Sequence, residues 1–420
     1  MADPTAPGRH PNAHWKPEPG SPGVLFRRPR RALRLGAAQL VCLVAGLVAG
    51  VLMPTVELHP LTESGPVVTL LFTIGFGVIS LITIIYSLLF LVVQWAATTF
   101  TPRLGLFRDD PIVWRTFAFA VGVFVFCATA GLTIGNREQV SVAVPVFAVL
   151  LTLCSLAFMR ALQARAFSSI QLGPVLEAIS AHAHHVFDVL YAKPYDGPAH
   201  PDDLPSGTGR AVLWPHAGAV LQQIDVPSLV EAAAAHGSVV VLLQRPGGQL
   251  VRNRPVAHVH GGDLPDDIAL STLLPGVERT FDQDPELAFR LLADIALRAL
   301  SAAVNDPATA VQALDHLEDA LLRLATQDLD VGQVSGTGGV VRVVVPVPGW
   351  EQYARGALDD VVVAAQGSPM ALLRVHRLIR RVLEACPVDR RPILESRLAW
   401  VEESVSERYP RVWEATGHAS

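Results

Sequence analysis

Four long apolar stretches without a charged residue occupy most of the N-terminal part of this 420-residue chain. A helix of about 20 apolar residues crosses the hydrocarbon core of a bilayer. The first stretch follows about thirty polar residues and exceeds the apolar core of a signal peptide, so we do not expect it to be cleaved. The sequence predicts an α-helical integral membrane protein with four transmembrane helices in residues 32–165. The stretches are Leu35–Met53, Val67–Thr101, Thr116–Asn136 and Gln139–Met159.

Arginine residues alternate between the predicted loops as the positive-inside rule requires. The first loop, 54–66, has no Arg or Lys, and the third has only Arg137. We therefore expect a multi-pass protein of a bacterial plasma (inner) membrane, with the lipid bilayer as a partner, both termini cytoplasmic, and a disordered cytoplasmic N-terminus at 1–31. The arginines on the predicted inner side are Arg27, Arg28, Arg30, Arg31, Arg34, Arg103, Arg108, Arg160 and Arg165.

The second apolar stretch is unusually long and carries a regular set of polar residues. About 35 helical residues would extend about 52 Å, against about 30 Å of hydrocarbon. Thr73, Ser80, Ser87 and Gln94 recur every seven positions, which keeps them on one face of a packed helix. Polar groups in membrane helices normally face protein or a water-filled cavity. Helix packing through hydrogen bonds within one protomer is the favoured interpretation, and a pore lining from several subunits is the alternative.

Small residues mark further helix contacts. Gly46 and Gly50 are four positions apart on the first helix. This spacing lets two helices approach closely. It is compatible with packing inside one chain and with a homo-oligomer. The third stretch has the same spacing at Ala118 and Gly122, and at Cys127, Gly131 and Gly135.

The C-terminal part is predicted to be a cytoplasmic α+β domain. Its excess of Asp and Glu over Arg and Lys argues against nucleic-acid binding. Helix four is expected to continue through Ala161–Tyr191. The predicted segments are a juxtamembrane helix and linker at 166–209, a small β-rich barrel- or sandwich-like unit at 210–262, a helical segment at 263–328, and a strand with three C-terminal helices at 329–420.

One stretch of the C-terminal part collects the richest set of polar residues. Its helix caps and ion pairs are a sufficient structural explanation. As a site, its carboxylates and arginines would bind a small polar ligand. The candidate ligand-binding residues are Glu278, Arg279, Asp282, Asp284, Arg298, Asn305, Asp306 and Thr309.

Several classes of chemistry lack their residues. Lys16 and Lys193 are the only lysines, so a Walker phosphate loop is excluded and a carrier lysine is not supported. His182 and His185 share a helix face, but no carboxylate or cysteine completes a metal site nearby. The four cysteines form no disulfide framework. We expect no metal, no cofactor and no catalytic residue.

Three blocks of residues resemble a known family. They are TPRLGLFRDD at Thr101–Asp110, GAVLQQID at Gly218–Asp225 and ERTFDQDPELAFRLLADIALRALSAAVNDPATA at Glu278–Ala310. The chain resembles, from about Leu33 onward, the bacterial predicted membrane proteins of domain of unknown function 2254. Ala302 stands where the resemblance leads us to expect proline. The resemblance implies a bacterial inner-membrane protein and brings no activity with it.

Two functional hypotheses follow. In the first, the protein is a non-enzymatic oligomeric channel, transporter-like protein or sensor, and its cytoplasmic domain serves assembly or gating. In the second, it is a membrane-anchored enzyme or small-ligand-binding protein that uses the polar cluster at 278–309.

Overall fold

A computed structural model describes residues 31–56, 59–99, 111–135, 137–168, 171–197 and 209–415. The predicted N-terminal segment, most of the second loop including the block Thr101–Asp110, and part of the linker lie outside the described residues. The chain divides into two compact units. The first, here called the helical unit, holds Pro29–Ala178 and Asp294–Thr309; the second, the α+β unit, holds Ile179–Ala293 and Ala310–Ser420.

The helical unit is built on four long apolar helices, as predicted. They are α1 (Arg31–Leu52), α2 (Ser64–Thr99), α3 (Pro111–Ile134) and α4 (Ala143–Ser168). All four are long and apolar enough to cross a membrane. α2 is one continuous helix of 36 residues, so the expectation of an over-long second helix is confirmed.

Glycines bring α1, α2 and α3 together. A Cβ added to Gly46 would overlap the carbonyl oxygen of Gly122 on α3, and one added to Gly122 would lie 2.8 Å from the carbonyl oxygen of Cys42. Gly131 lies against the ring of Phe72 on α2, where a Cβ would come within 3.0 Å. The small-residue spacing is compatible with packing inside one chain and with a homo-oligomer, and these glycines pack against helices of their own chain.

The two loops that face the same end of the four helices pair with each other, which the sequence analysis did not predict. β1 (Leu61–Glu63) and β2 (Gln139–Ser141) form an antiparallel ribbon. Arg137 Nη1 donates to the carbonyl oxygen of Pro54 over 2.6 Å, and the Ser64 hydroxyl donates to the carbonyl oxygen of Arg137. Arg137 therefore connects the third loop to the backbone of the first loop through hydrogen bonds.

The predicted continuation of helix four through Ala161–Tyr191 is wrong. α4 ends at Ser168, and a separate helix, α5, runs from Leu172 to Leu190. Pro174 lies in the first turn of α5, where the missing N–H of proline costs no hydrogen bond. Gly173 beside it is a poor helix former.

The α+β unit contains two sheets. A five-stranded sheet has the order β3-β7-β5-β10-β9 and a three-stranded sheet the order β6-β4-β8. The only parallel pair in the described sheets is β5 with β10. The strands are β3 (Arg210–Leu213), β4 (Ala219–Ile224), β5 (Val239–Leu242), β6 (Gln249–Leu250), β7 (Pro255–His260), β8 (Leu273–Gly276), β9 (Gln333–Ser335) and β10 (Val341–Val344).

The sheets draw strands from three of the predicted segments. β3 to β7 lie in the predicted unit 210–262, but β8 comes from 263–328 and β9 and β10 from 329–420. The strands cover one buried apolar core that includes Val212, Leu242 and Val343. The unit at 210–262 is therefore not a self-contained barrel, because its central strand β5 needs β10 as a neighbour.

Helices complete the α+β unit, and the three predicted C-terminal helices are present. Asp225 caps α6 and Ser368 caps α11: the side chain of each accepts from a backbone amide, and a proline lies in the first turn of each helix. The helices are α6 (Val226–Ala235), α7 (Asp266–Ser271), α8 (Glu286–Ala299), α9 (Pro307–Ala325), α10 (Trp350–Ala365), α11 (Pro369–Ala385), α12 (Arg391–Arg408) and α13 (Pro410–Ala415). α5, α8 and α9 contribute residues to both units.

Candidate functional site

The predicted polar cluster is divided between the two units. Glu278, Arg279, Asp282 and Asp284 belong to the α+β unit, whereas the remaining four residues belong to the helical unit. The set in the helical unit is Arg298, Asn305, Asp306 and Thr309.

The set in the helical unit forms the connection from α8 to α9. Asn305 has φ of 50°, a left-handed conformation that Asn tolerates better than most residues. Asp306 caps α9: its carboxylate accepts from the Thr309 amide over 3.1 Å and from the Thr309 hydroxyl over 2.6 Å. The hydroxyl bond, more than any other cause, lowers the pKa of Asp306 below its usual value. The Asn-Asp-Pro-x-Thr block therefore has a complete structural explanation as a helix-to-helix turn.

The set in the α+β unit centres on a bidentate ion pair. Arg279 Nε and Nη2 donate to the two carboxylate oxygens of Asp284 over 2.5 Å and 2.7 Å. Asp284 is only 2% exposed. Gly247, with φ of 87°, lies directly on this pair, and a Cβ there would overlap Asp284 Oδ2. The turn at Pro246-Gly247-Gly248 therefore needs glycine both for its conformation and for its close approach.

Two glutamines of β4 hold the segment that carries the pair. Gln222 Nε2 donates to the Glu278 carbonyl oxygen over 2.7 Å, and Gln223 Nε2 donates to Asp282 Oδ2 over 2.9 Å. Buried Gln283 in turn bonds the backbone of Ile224 in both directions. The side chain of Asp282 is thus a structural acceptor, and two of the sequence blocks that carry the family resemblance hydrogen-bond to each other.

Two residues that the sequence analysis did not single out complete this arrangement. Arg245 Nη2 donates to Glu286 Oε2 over 2.5 Å, and Arg279 Nη2 lies 4.0 Å from the same oxygen. Arg279 and Glu286 line two cavities of about 540 and 310 Å³. Arg245 follows a strand with no acidic or histidine neighbour in sequence, so only the fold brings it to Glu286.

A buried tyrosine pair lies at the end of α5 and on α10. The hydroxyls of Tyr191 and Tyr353 are 2.7 Å apart, and Tyr353 also lines the larger cavity. Burial is the main cause that raises the pKa of both tyrosines, and the nearby carboxylates of Glu286 and Asp284 raise it further. Both hydroxyls therefore stay protonated at neutral pH.

One row of polar residues of α2 lies on the outside of the protomer, whereas Ser64 and Tyr86 donate to carbonyl oxygens of the third loop and of α3. Thr73, Ser80, Ser87 and Gln94, here called the α2 stripe, are exposed. Thr73 and Ser87 hydroxyls donate to carbonyl oxygens of α2 itself, those of Thr69 and Thr83. The favoured interpretation, hydrogen bonding to other helices of the same protomer, is not supported by these contacts.

The histidines of α5 take part in helix packing. His184 Nε2 lies 2.6 Å from Asp319 Oδ2 on α9, and Ser180 Oγ lies 2.7 Å from His316 Nδ1. The His182 ring contacts the Phe281 ring. In the part of the chain that the structure describes, no group of three His, Cys, Asp or Glu residues could hold a metal ion.

Comparison with known proteins gives a family but no activity. Residues 34–381 match a family model described as a predicted membrane protein, domain of unknown function 2254. Uncharacterised proteins of Mycobacterium bovis and of two Mycobacterium tuberculosis strains are 28% identical to this chain over 361 residues. The match covers 81% of this chain and 68% of each relative. No solved structure matches the chain significantly.

Proposed function

Because the chain belongs to the predicted membrane protein family of domain of unknown function 2254, we propose that it is a non-enzymatic, multi-pass protein of a bacterial plasma membrane that works as a homo-oligomer. Both termini lie in the cytoplasm in this proposal, as the arginine distribution favours. The α+β unit serves assembly or gating. The oligomer acts as a channel, a transporter-like protein or a sensor.

The position of the α2 stripe is the observation that carries this proposal. A polar residue on a membrane helix normally faces protein or water rather than lipid. All four residues of the stripe are exposed, and the Ser80 hydroxyl makes no hydrogen bond among the described residues. Gly77 lies between Thr73 and Ser80 on the same side, and nothing lies within 4 Å of a Cβ added there. A second copy of the chain could therefore approach α2 closely along this face.

Disulfide cross-linking in native membranes tests the assembly. Ser80→Cys is placed in a background with Cys42→Ala and Cys154→Ser, because Cys127 and Cys386 are already buried. Leu81→Cys is the matched control: it has nearly the same depth and is exposed, but it points about 100° away around the helix. We expect a cross-linked dimer from Ser80→Cys and little from Leu81→Cys. Equal cross-linking of the two variants, or none, would contradict the proposal.

Ion flux after reconstitution distinguishes an aqueous pore from an interface that only joins protomers. If several copies of the stripe line an aqueous path, purified protein in liposomes conducts ions, and Ser80→Leu reduces the flux. A stripe that only joins protomers gives no flux, and its replacement by leucine lowers the oligomer fraction. If Ser80→Leu changes neither the ion flux nor the oligomer fraction, the role proposed for the α2 stripe is wrong.

A second candidate function, binding of a small ligand by the cluster at 278–309, is favoured by one observation. Arg279 lines two cavities and is oriented by a buried carboxylate. In this version, Glu278→Gln and Asp282→Asn, both within the α+β unit, should each change the cellular phenotype without unfolding the protein. Replacements that leave both fold and phenotype unchanged would exclude this version, including its enzymatic form.

A further inference from the structure

The smaller of the two cavities next to Arg279 has an unusual lining for this acidic half of the chain. Its volume is about 310 Å³, and two arginines, Arg245 and Arg279, face it against one carboxylate, that of Glu286. The larger cavity has the opposite balance. Three arginines and four carboxylates line it, namely Arg279, Arg290, Arg355, Glu286, Glu351, Asp359 and Asp360. More arginines than carboxylates thus line the smaller cavity, and each arginine is paired, Arg245 with Glu286 and Arg279 with buried Asp284.

Hydrogen-bond donors without partners converge on this cavity. Arg245 uses Nη2 to bond Glu286, and its Nε and Nη1 make no hydrogen bond to any residue that the structure describes. The side-chain amide of Gln244 lines the same cavity and is likewise without a partner in the described part of the chain. Both residues are partly buried. Half-buried donors gain free energy when a ligand accepts from them.

The glycine turn keeps the wall of the cavity open. Gly247 and Gly248 both line it. A Cβ added to Gly248 would lie 2.8 Å from Gln244 Oε1, so a side chain there would push the Gln244 amide away. Arg279, on the other side, is held in one orientation by its bidentate pair with Asp284. The site is therefore pre-organised, which lowers the entropy that a ligand must overcome on binding.

We propose that this cavity is a binding site for a small oxyanion, a phosphate or carboxylate group, which the guanidinium of Arg245 and the amide of Gln244 bind beside Arg279. A guanidinium offers two parallel N–H donors that match the oxygen spacing of a carboxylate or phosphate. The volume suits a small ligand. Glu286 accepts from Nη2 of Arg245, and the N–H groups of Nε and Nη1 remain for a ligand. This inference does not depend on the oligomeric state.

Calorimetric titration of the full-length protein in detergent tests the site. Inorganic phosphate and acetate are the two probes, and chloride at matched ionic strength is the reference. We expect at least one of the oxyanions to bind where chloride does not. Binding of phosphate alone assigns the site to phosphoryl groups, and binding of acetate alone assigns it to carboxylates. No binding of either would overturn the proposal.

Two variants locate the binding, and one serves as a control. Arg245→Gln removes the charge, and Gln244→Ala removes an amide that supports nothing else in the described structure. Each should weaken binding by about tenfold or more. Arg355→Gln, at the larger cavity, should leave the affinity unchanged. If Arg245→Gln does not fold, Gln244→Ala decides alone: unchanged affinity in a folded Gln244→Ala protein would contradict the site.

Discussion

The two units satisfy their polar side chains in opposite ways. In the helical unit, threonine and serine hydroxyls donate to the carbonyl oxygen four residues earlier in their own helix, as at Thr73, Ser87, Thr116, Thr133 and Thr152. In the α+β unit, charged side chains pair across the fold. Arg374 on α11 contacts Glu318 on α9 over 2.7 Å, and Arg397 on α12 pairs with Asp359 on α10.

Because of this difference, the position of a polar side chain depends on neighbouring elements in the α+β unit but not in the helical unit. A hydroxyl that donates to its own helix needs no hydrogen-bond partner on a second helix or strand. The fold of the protomer therefore does not determine where on the helix such a residue lies. A buried arginine needs its partner in place, so its position is determined by the protomer. The α2 stripe has a regular spacing that its own protomer does not require, which is why we attribute the stripe to another copy of the chain.

Breaking a buried ion pair of the α+β unit should have the largest effect on stability. Arg374 and Glu318 each have side chains only 8% exposed. Arg374→Met removes one of the two arginines that pair with the buried carboxylate of Glu318, and leaves only Arg381. We expect a loss of about 3–5 kcal/mol in the free energy of unfolding. Denaturant unfolding measures it. Arg355→Met, which breaks an exposed pair with Glu351, should cost about 1 kcal/mol or less. Equal costs for the two variants would remove the distinction between buried and exposed pairs.

Changes to the glycine contacts of the helical unit should come next. Gly46→Ala places a Cβ against the backbone of Gly122, and we expect a loss of about 1–3 kcal/mol from overpacking. Thermal stability of the purified protein by size-exclusion chromatography measures it. Gly77→Ala is the control on α2, where a Cβ meets nothing within 4 Å. It should be neutral or slightly stabilising for the protomer, since alanine favours helix. A destabilised Gly77→Ala protomer would show that the outer face of α2 already packs against its own chain.

The cap of α9 should give a smaller and pH-dependent effect. Asp306→Ala removes two hydrogen bonds to Thr309 and should cost about 1 kcal/mol at pH 7. The pKa of Asp306 is lowered in the folded protein, so the carboxylate stabilises it above the ordinary Asp pKa of about 3.9. This contribution is lost as the pH falls through the lowered pKa. Unfolding curves of both proteins between neutral and acidic pH should therefore converge at low pH; a constant difference would refute the role of the charge.

Removal of stripe hydroxyls should have the smallest effect on the protomer. Thr73→Val and Ser87→Ala each remove one hydrogen bond within α2, and we expect changes within about 0.5 kcal/mol. The same variants should reduce the cross-linked fraction of Ser80→Cys. A large loss of protomer stability, with cross-linking unchanged, would assign these hydroxyls to the fold of the single chain.

The sequence predicts what depends on local composition. The four apolar helices, the β-rich character of residues 210–262 and the three C-terminal helices follow from residue periodicity and local turn and cap signals. What depends on distant partners was missed. The pairing of β1 with β2, the parallel pairing of β5 with β10, and the contact of Arg245 with Glu286 each join segments far apart in the chain.

The polar cluster illustrates the same limit within a single block of sequence. Arg279 and Asp284 are five residues apart and do pair. Arg298 and Thr309 follow within the same resemblance block but belong to the other unit. Proximity in sequence grouped eight residues that the fold divides between two compact units.

The structure of the assembly in a lipid nanodisc tests the central claim most directly. We expect more than one protomer per particle, with Thr73, Ser80 and Ser87 of one copy facing α2 of another copy or a shared aqueous path. Gly46 and Gly122 should meet inside each protomer. A single protomer surrounded by lipid at the α2 stripe, or an oligomer joined through another face, would contradict the account.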